Sequence, residues 1–184
     1  MLSLTKLFAC TKKSWGFRSS MVVVPHSEMQ FGNFDSDSYY DIEQCNIYVK
    51  ALGHGLKTVE FVLLKDSLCF VEAKPSVPAD FKQFISDVVQ KFKDSLVLFL
   101  ALYLKRHEGE VLPEKLANVA IREVPAEFVL VLKRTSKQDL IPVQAALAKA
   151  FKGVLLSWNL SPNAVKVLNE ELAQKYHLIP SELK

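Results

Sequence analysis

Positions 58–74 read Thr-Val-Glu-Phe-Val-Leu-Leu, then Lys-Asp-Ser, then Leu-Cys-Phe-Val-Glu-Ala-Lys. Both arms are rich in β-branched and aromatic residues, and a polar three-residue break separates them, which predicts a β-hairpin. Pro75 stops the second arm and holds Lys74 in the extended region. Pro78 suits the first turn of a helix. Behind it Phe81, Phe84, Ile85, Val88, Val89, Phe92 and Leu96 recur on one face. That spacing predicts a helix to about Arg106, sandwiched between layers because it grows more apolar toward its end.

After a polar connection at 107–115, residues 127–132 read as a strand. A helix over about 137–152, a strand at 154–158 and a helix from Ser161 to about Tyr176 follow, the last with Ser161 as N-cap and Pro162 at its first position. Upstream, residues 21–24 look like a short strand ended by the missing N–H of Pro25, and 32–37 is turn chemistry. Ser38 with Asp41 resembles a capping box. Ile42, Cys45, Val49 and Leu52 then recur at helical spacing before Gly53, predicting a helix over about 38–52. A competing reading makes 46–50 a strand. The alternation of strand and helix after the hairpin points to an α/β fold: one domain, a mixed sheet flanked by helices. The expected organisation is an N-terminal segment, 1–37, packed on an α/β domain, 38–184.

Composition agrees with this class. The chain has 184 residues, 49% hydrophobic, 23% charged and 10% aromatic, which excludes disordered, collagen-like and coiled-coil chains. The longest apolar run, 96–104, falls short of the roughly 20 residues that cross a bilayer, so no membrane partner is expected. Cys10, Cys45 and Cys69 are scattered, with no CxxC pair to make a disulfide framework or zinc site. They suit a reducing, cytoplasmic compartment. Lys6, Lys12, Lys13 and Arg18 precede the first acid, Glu28, and give residues 1–27 a charge of +4; with the whole chain at +3, the remainder nets −1 (3 − 4). The body is therefore close to neutral, and bulk charge makes no case for nucleic acid.

Glu60, Glu72 and Lys74 interrupt strands that otherwise read as buried. Glu72 and Lys74 share a face, about 7 Å apart. With 65–67 as the loop, Leu64 pairs with Leu68, and counting back sets Glu60 opposite Glu72. Like charges so placed are destabilising. A proton, Lys74, or a divalent cation with oxygen ligands must compensate. Mg²⁺ or Mn²⁺ between two carboxylates, with a lysine near the attacking water, is the equipment of phosphodiester hydrolysis.

The run from Val59 to Leu64, followed by Phe70-Val-Glu-Ala-Lys74, resembles the PD-(D/E)XK nuclease superfamily. Its signature is an acid on one strand, Glu-x-Lys on the next about a dozen residues later, then a helix and another strand. The likeness covers about 38–133. Its first acid is Glu rather than the usual Asp, and the Pro-Asp dipeptide is absent. The resemblance implies a restriction-endonuclease-like core with a C-terminal extension and an Mg²⁺-dependent nuclease acting on nucleic acid. It implies Glu60 and Glu72 as metal ligands, Lys74 serving the water, and Glu43, with Asp41 behind it, as the acid from the first helix. The alternative is a catalytically inactive module on the same fold that binds a protein or nucleic-acid partner; a direct Lys74 ion pair would favour it. Other constellations read as structure: Cys45 as core, His54 within a Gly53-His-Gly55 turn, His107 with Glu108 and Glu110 as solvated loop, and Trp15, Tyr39, Tyr40 and Trp158 as packing aromatics.

Overall fold

A computed structural model describes residues 20–51 and 53–180. The expected docking of residues 1–19 lies outside that range. Five strands form a mixed sheet in the order β3 (Tyr39–Tyr40), β4 (Phe61–Leu64), β5 (Leu68–Lys74), β6 (Ala126–Leu132) and β7 (Val165–Asn169). β3, β4 and β5 run antiparallel in turn, with Leu64 opposite Leu68 and Phe61 opposite Val71. α2 (Phe81–Tyr103) carries the chain from β5 to β6, and α4 (Lys137–Ser157) from β6 to β7; both crossovers deliver parallel strands. Parallel pairing requires such a crossover, and the helices cover one face of the sheet.

Strand alternation divides the core in two. Val62, Phe70, Phe128, Leu130 and Leu132 face α2 and α4, where Phe128 stacks on Phe70 at 5.3 Å and meets Phe151 edge-on at 4.6 Å. Phe61, Leu63, Val71, Ala73, Val129 and Val131 face the other way. They are covered by α5 (Glu170–Lys175) and by a separate hairpin of β1 (Met21–His26) and β2 (Met29–Asp35). The outcome is a single compact α/β unit with three layers. α1 (Asn46–Ala51) and α3 (Glu114–Ala117) are short and flank it.

Several elements differ from the sequence reading. β1 runs through Pro25, which pairs with Gln30, and the turn is Ser27-Glu28, both at positive φ (48° and 63°) as a tight hairpin turn requires. Residues 32–35, read as a turn, belong to β2. Gly32 lies beside a bulge between Val22 and Val23, where an added Cβ would come within 2.8 Å of the Val23 Cα, so only glycine lets the strands approach. The helix expected over 38–52 is broken into β3, a 3-10 turn at Ile42–Gln44, and α1. Tyr39 and Tyr40 belong to opposite cores, which forces a two-residue strand. The strand expected at 154–158 is the end of α4. Val143, Leu147, Phe151 and Leu155 continue its buried stripe at a spacing of four, and that period outranks the branched run. The long last helix is instead a 3-10 turn at Pro162–Ala164, capped by Ser161 as expected, then β7 and α5. Val165 and Val167 alternating around Lys166 are the strand signal there. By length and apolarity alone α4 could cross a membrane; it packs along α2 and β7.

Candidate functional site

Three acids and three bases from five separate segments meet near the C-terminal end of β5. The hairpin register beyond Phe61 and Val71 carries Glu60 to a place opposite Glu72, and the Glu60 N–H donates to the Val71 carbonyl at 3.1 Å. β3 has already ended at Val62, so Glu60 lies past the paired edge of the sheet. Alternation with Phe70 turns Glu72 toward α2. Its side chain is fully buried, at 0% exposure, and Glu60 is nearly so at 8%.

Glu72 is met by two ammonium groups. Lys74 Nζ stands 2.8 Å from Oε1, and Lys91 Nζ, from α2, stands 2.9 Å from Oε1 and 3.1 Å from Oε2. Both ammonium groups therefore crowd Oε1, and Lys91 alone also reaches Oε2. Burial lifts the Glu72 pKa above the usual carboxylate range, against the pull of Lys91 and Lys74, and nearby Glu60 adds to the rise. For Lys91 burial lowers the pKa, but the charge and hydrogen bond of Glu72 outweigh it, so Lys91 is held as the ammonium.

Glu60 has its own cation. His26, last residue of β1, brings Nδ1 within 3.1 Å of Glu60 Oε2 while its ring packs 5.5 Å from Phe61. Its Nε2 is buried without a partner. Burial works against an ionised Glu60, yet the His26 hydrogen bond, the Lys91 charge and a hydrogen bond with Glu43 bring its pKa below the ordinary value. The His26 pKa is raised, since the hydrogen bond and charge of Glu60 overcome burial. Glu43 sits in the 3-10 turn that Asp41 caps by accepting from the Gln44 N–H at 3.1 Å. Burial, then the charge of Glu60 and a hydrogen bond to it, push Glu43 up to about 7.

Glu43, Glu60, Glu72 and Lys74, all singled out in the sequence, are therefore brought together. Lys91 and His26 are not visible as site residues in the same way. Lys91 did carry a signal: it falls three positions after Val88 and seven after Phe84, on the buried stripe of α2, where an unpaired ammonium would be costly. His26 carried none, because its place depends on the β1–β2 hairpin folding back on β4.

A cavity of about 450 Å³ opens beside Glu72, with Lys74, Lys91 and Asp87 on its walls and Phe84 and Val88 as its apolar side. A larger one, about 500 Å³, lies at the other end of β5 among Leu68, Phe99 and Trp158, far from the acids. Among the described residues no cluster of three or more His, Cys, Asp or Glu forms a metal cage. The donor set is instead two carboxylates, Glu60 and Glu72, the second on the wall of a cavity. That set fits Mg²⁺ or Mn²⁺, which is ordinarily held through one or two carboxylates with water and substrate phosphate completing the shell. It does not fit a structural zinc site.

The remaining candidates are structural. Cys45 is buried and burial pushes its thiol up, the reverse of a reactive cysteine. Tyr39 stacks on Phe34 in the hairpin-side core. Glu110 accepts from the Tyr40 hydroxyl and from the backbone and side chain of Asn46, tying its loop to α1. Trp15 lies outside the described residues. No family model, curated protein or solved structure matches this chain.

Proposed function

We propose that the protein is a metal-dependent nuclease with a restriction-endonuclease-like core, hydrolysing phosphodiester bonds of nucleic acid. Glu60 and Glu72 are the ligands for Mg²⁺ or Mn²⁺ and Lys74 serves the attacking water. The observation that carries this reading is the meeting of Glu43, Glu60, Glu72 and Lys74 at one end of the sheet, with Glu72 and Lys74 on a strand whose parallel neighbour arrives by a helical crossover. When bound, the cation supplies charge to the phosphoryl oxygens and makes its water more acidic. Lys74, 34% exposed on the cavity wall, can donate to the nucleophile or to a phosphoryl oxygen as negative charge builds there. Glu43, hydrogen-bonded to Glu60 from the 3-10 turn, can accept the proton that the water gives up.

One observation favours a second reading, a non-catalytic module that binds a protein or nucleic-acid partner. Lys74 and Lys91 on Glu72, with His26 on Glu60, already compensate both carboxylates. Cleavage separates the two. Labelled single- and double-stranded DNA and RNA, incubated with Mg²⁺, Mn²⁺ or EDTA, should be cut by the wild type only with metal, and by neither Glu72→Gln nor Lys74→Ala. Binding without cleavage in every condition supports the module and rejects the nuclease.

A further inference from the structure

We infer that Lys91 is a resident counter-ion which competes with the divalent cation for Glu72, so that metal enters only when the Lys91 ammonium leaves that carboxylate; this rests on the nuclease reading above. Lys91 Nζ bridges both carboxylate oxygens, 2.9 Å from Oε1 and 3.1 Å from Oε2, and lines the same cavity as Glu72, so it occupies both donor atoms that a cation would need. Lys74 touches Oε1 alone and is nearly twice as exposed, 34% against 18%. A dication and an ammonium at those distances from one buried carboxylate repel each other strongly.

Lys91 has somewhere to go. Its side chain lines the 450 Å³ cavity, whose wall also carries Asp87, one helical turn earlier on α2. An acid four residues before a lysine is the favourable order for a helical ion pair. Asp87 is 42% exposed and now holds Lys57, a partner that is itself 46% exposed and readily exchanged. The four-carbon stem of Lys91 therefore connects two anionic stations, Glu72 inside and Asp87 at the cavity. In the second, the ammonium stands in the space that a phosphate bound near Glu72 and Lys74 must enter. The same lysine that screens Glu72 becomes a contact for the substrate anion.

The consequence is an affinity handicap. A carboxylate that is free of its lysine for a tenth of the time binds about tenfold more weakly than an open one. Titration calorimetry with Mn²⁺ alone, on wild type, Lys91→Met and Lys91→Arg, reads this directly. Lys91→Met should bind about tenfold more tightly or better, and Lys91→Arg, which grips a carboxylate through two parallel donors, more weakly than wild type. Acylation of amines on the wild type, read by mass spectrometry, should label Lys91 more when Mn²⁺ is present; this measurement stands even where Lys91→Met folds poorly. Wild-type binding that Lys91→Met leaves unchanged or weakens, or labelling of Lys91 that ignores Mn²⁺, overturns the competition and leaves the nuclease reading intact. No binding by wild type or either variant overturns both.

Discussion

The ammonium of Lys91 reaches from α2 to within 2.9 Å of Oε1 and 3.1 Å of Oε2 of Glu72, 19 positions away in sequence and 0% exposed. This pair fixes the sign of what happens when the site is altered. Repulsion between Glu60 and Glu72 alone would make neutralising Glu72 stabilising. With Lys91 and Lys74 committed to it, the reverse holds.

Without metal, Glu72→Gln should therefore destabilise the protein by about 3 kcal/mol, because it strands a buried ammonium. Lys91→Met should cost less, because Lys74 still stands 2.8 Å from Oε1 of the carboxylate. The double variant Glu72→Met with Lys91→Met should return to within about 1 kcal/mol of wild type, since two apolar side chains of similar size replace the pair. Urea unfolding in EDTA of wild type, Glu72→Met, Lys91→Met and the double variant measures the coupling; additive losses would mean that the two residues act separately.

Glu43 sets a pH dependence of a definite sign. A glutamate in the unfolded chain ionises near about 4.3, whereas folded Glu43 ionises at about 7. Between those values the unfolded state has lost a proton that the folded state keeps, so stability falls as pH rises through the window and stays lower above it. Glu43→Gln removes that loss. In EDTA its urea midpoint should equal or trail the wild type at pH 4 and gain on it by pH 8; a difference that stays constant with pH would contradict the assignment.

The outer edge of β7 depends on one side chain. Gln144 of α4 donates from Nε2 to the Val165 carbonyl at 2.8 Å and accepts the Val167 N–H at its Oε1 at 2.7 Å, taking the place of a further strand. Gln144→Ala leaves both backbone groups without that partner and should cost about 1–3 kcal/mol. Gln144→Glu keeps only the acceptor and should fall between. Amide exchange at Val167 should quicken in both variants.

The central hairpin and its register were legible because period-two alternation, a polar three-residue break and Pro75 all pointed the same way. The same register brought Glu60, Glu72 and Lys74 together. The parallel pairing of β5 with β6 followed from a crossover helix whose apolar stripe was unambiguous. What failed was local reading where tertiary demand decides. Val154 to Leu156 is branched and apolar in any context, and only its phase with Phe151 assigns it to α4. Tyr39 and Tyr40 lie in a helix-like stretch but serve two cores at once. His26 and Lys91 complete the charge balance from layers above and below the sheet, and a single sequence does not show which layers will meet.

The most direct measurement is thermal or urea unfolding as Mn²⁺ is titrated against wild type, Glu60→Gln and Glu72→Gln. Wild type should gain stability reaching about 2.7 kcal/mol at a hundredfold excess over the dissociation constant, and neither variant should gain any. No gain in the wild type at millimolar metal, or the same gain in all three proteins, would contradict the metal site.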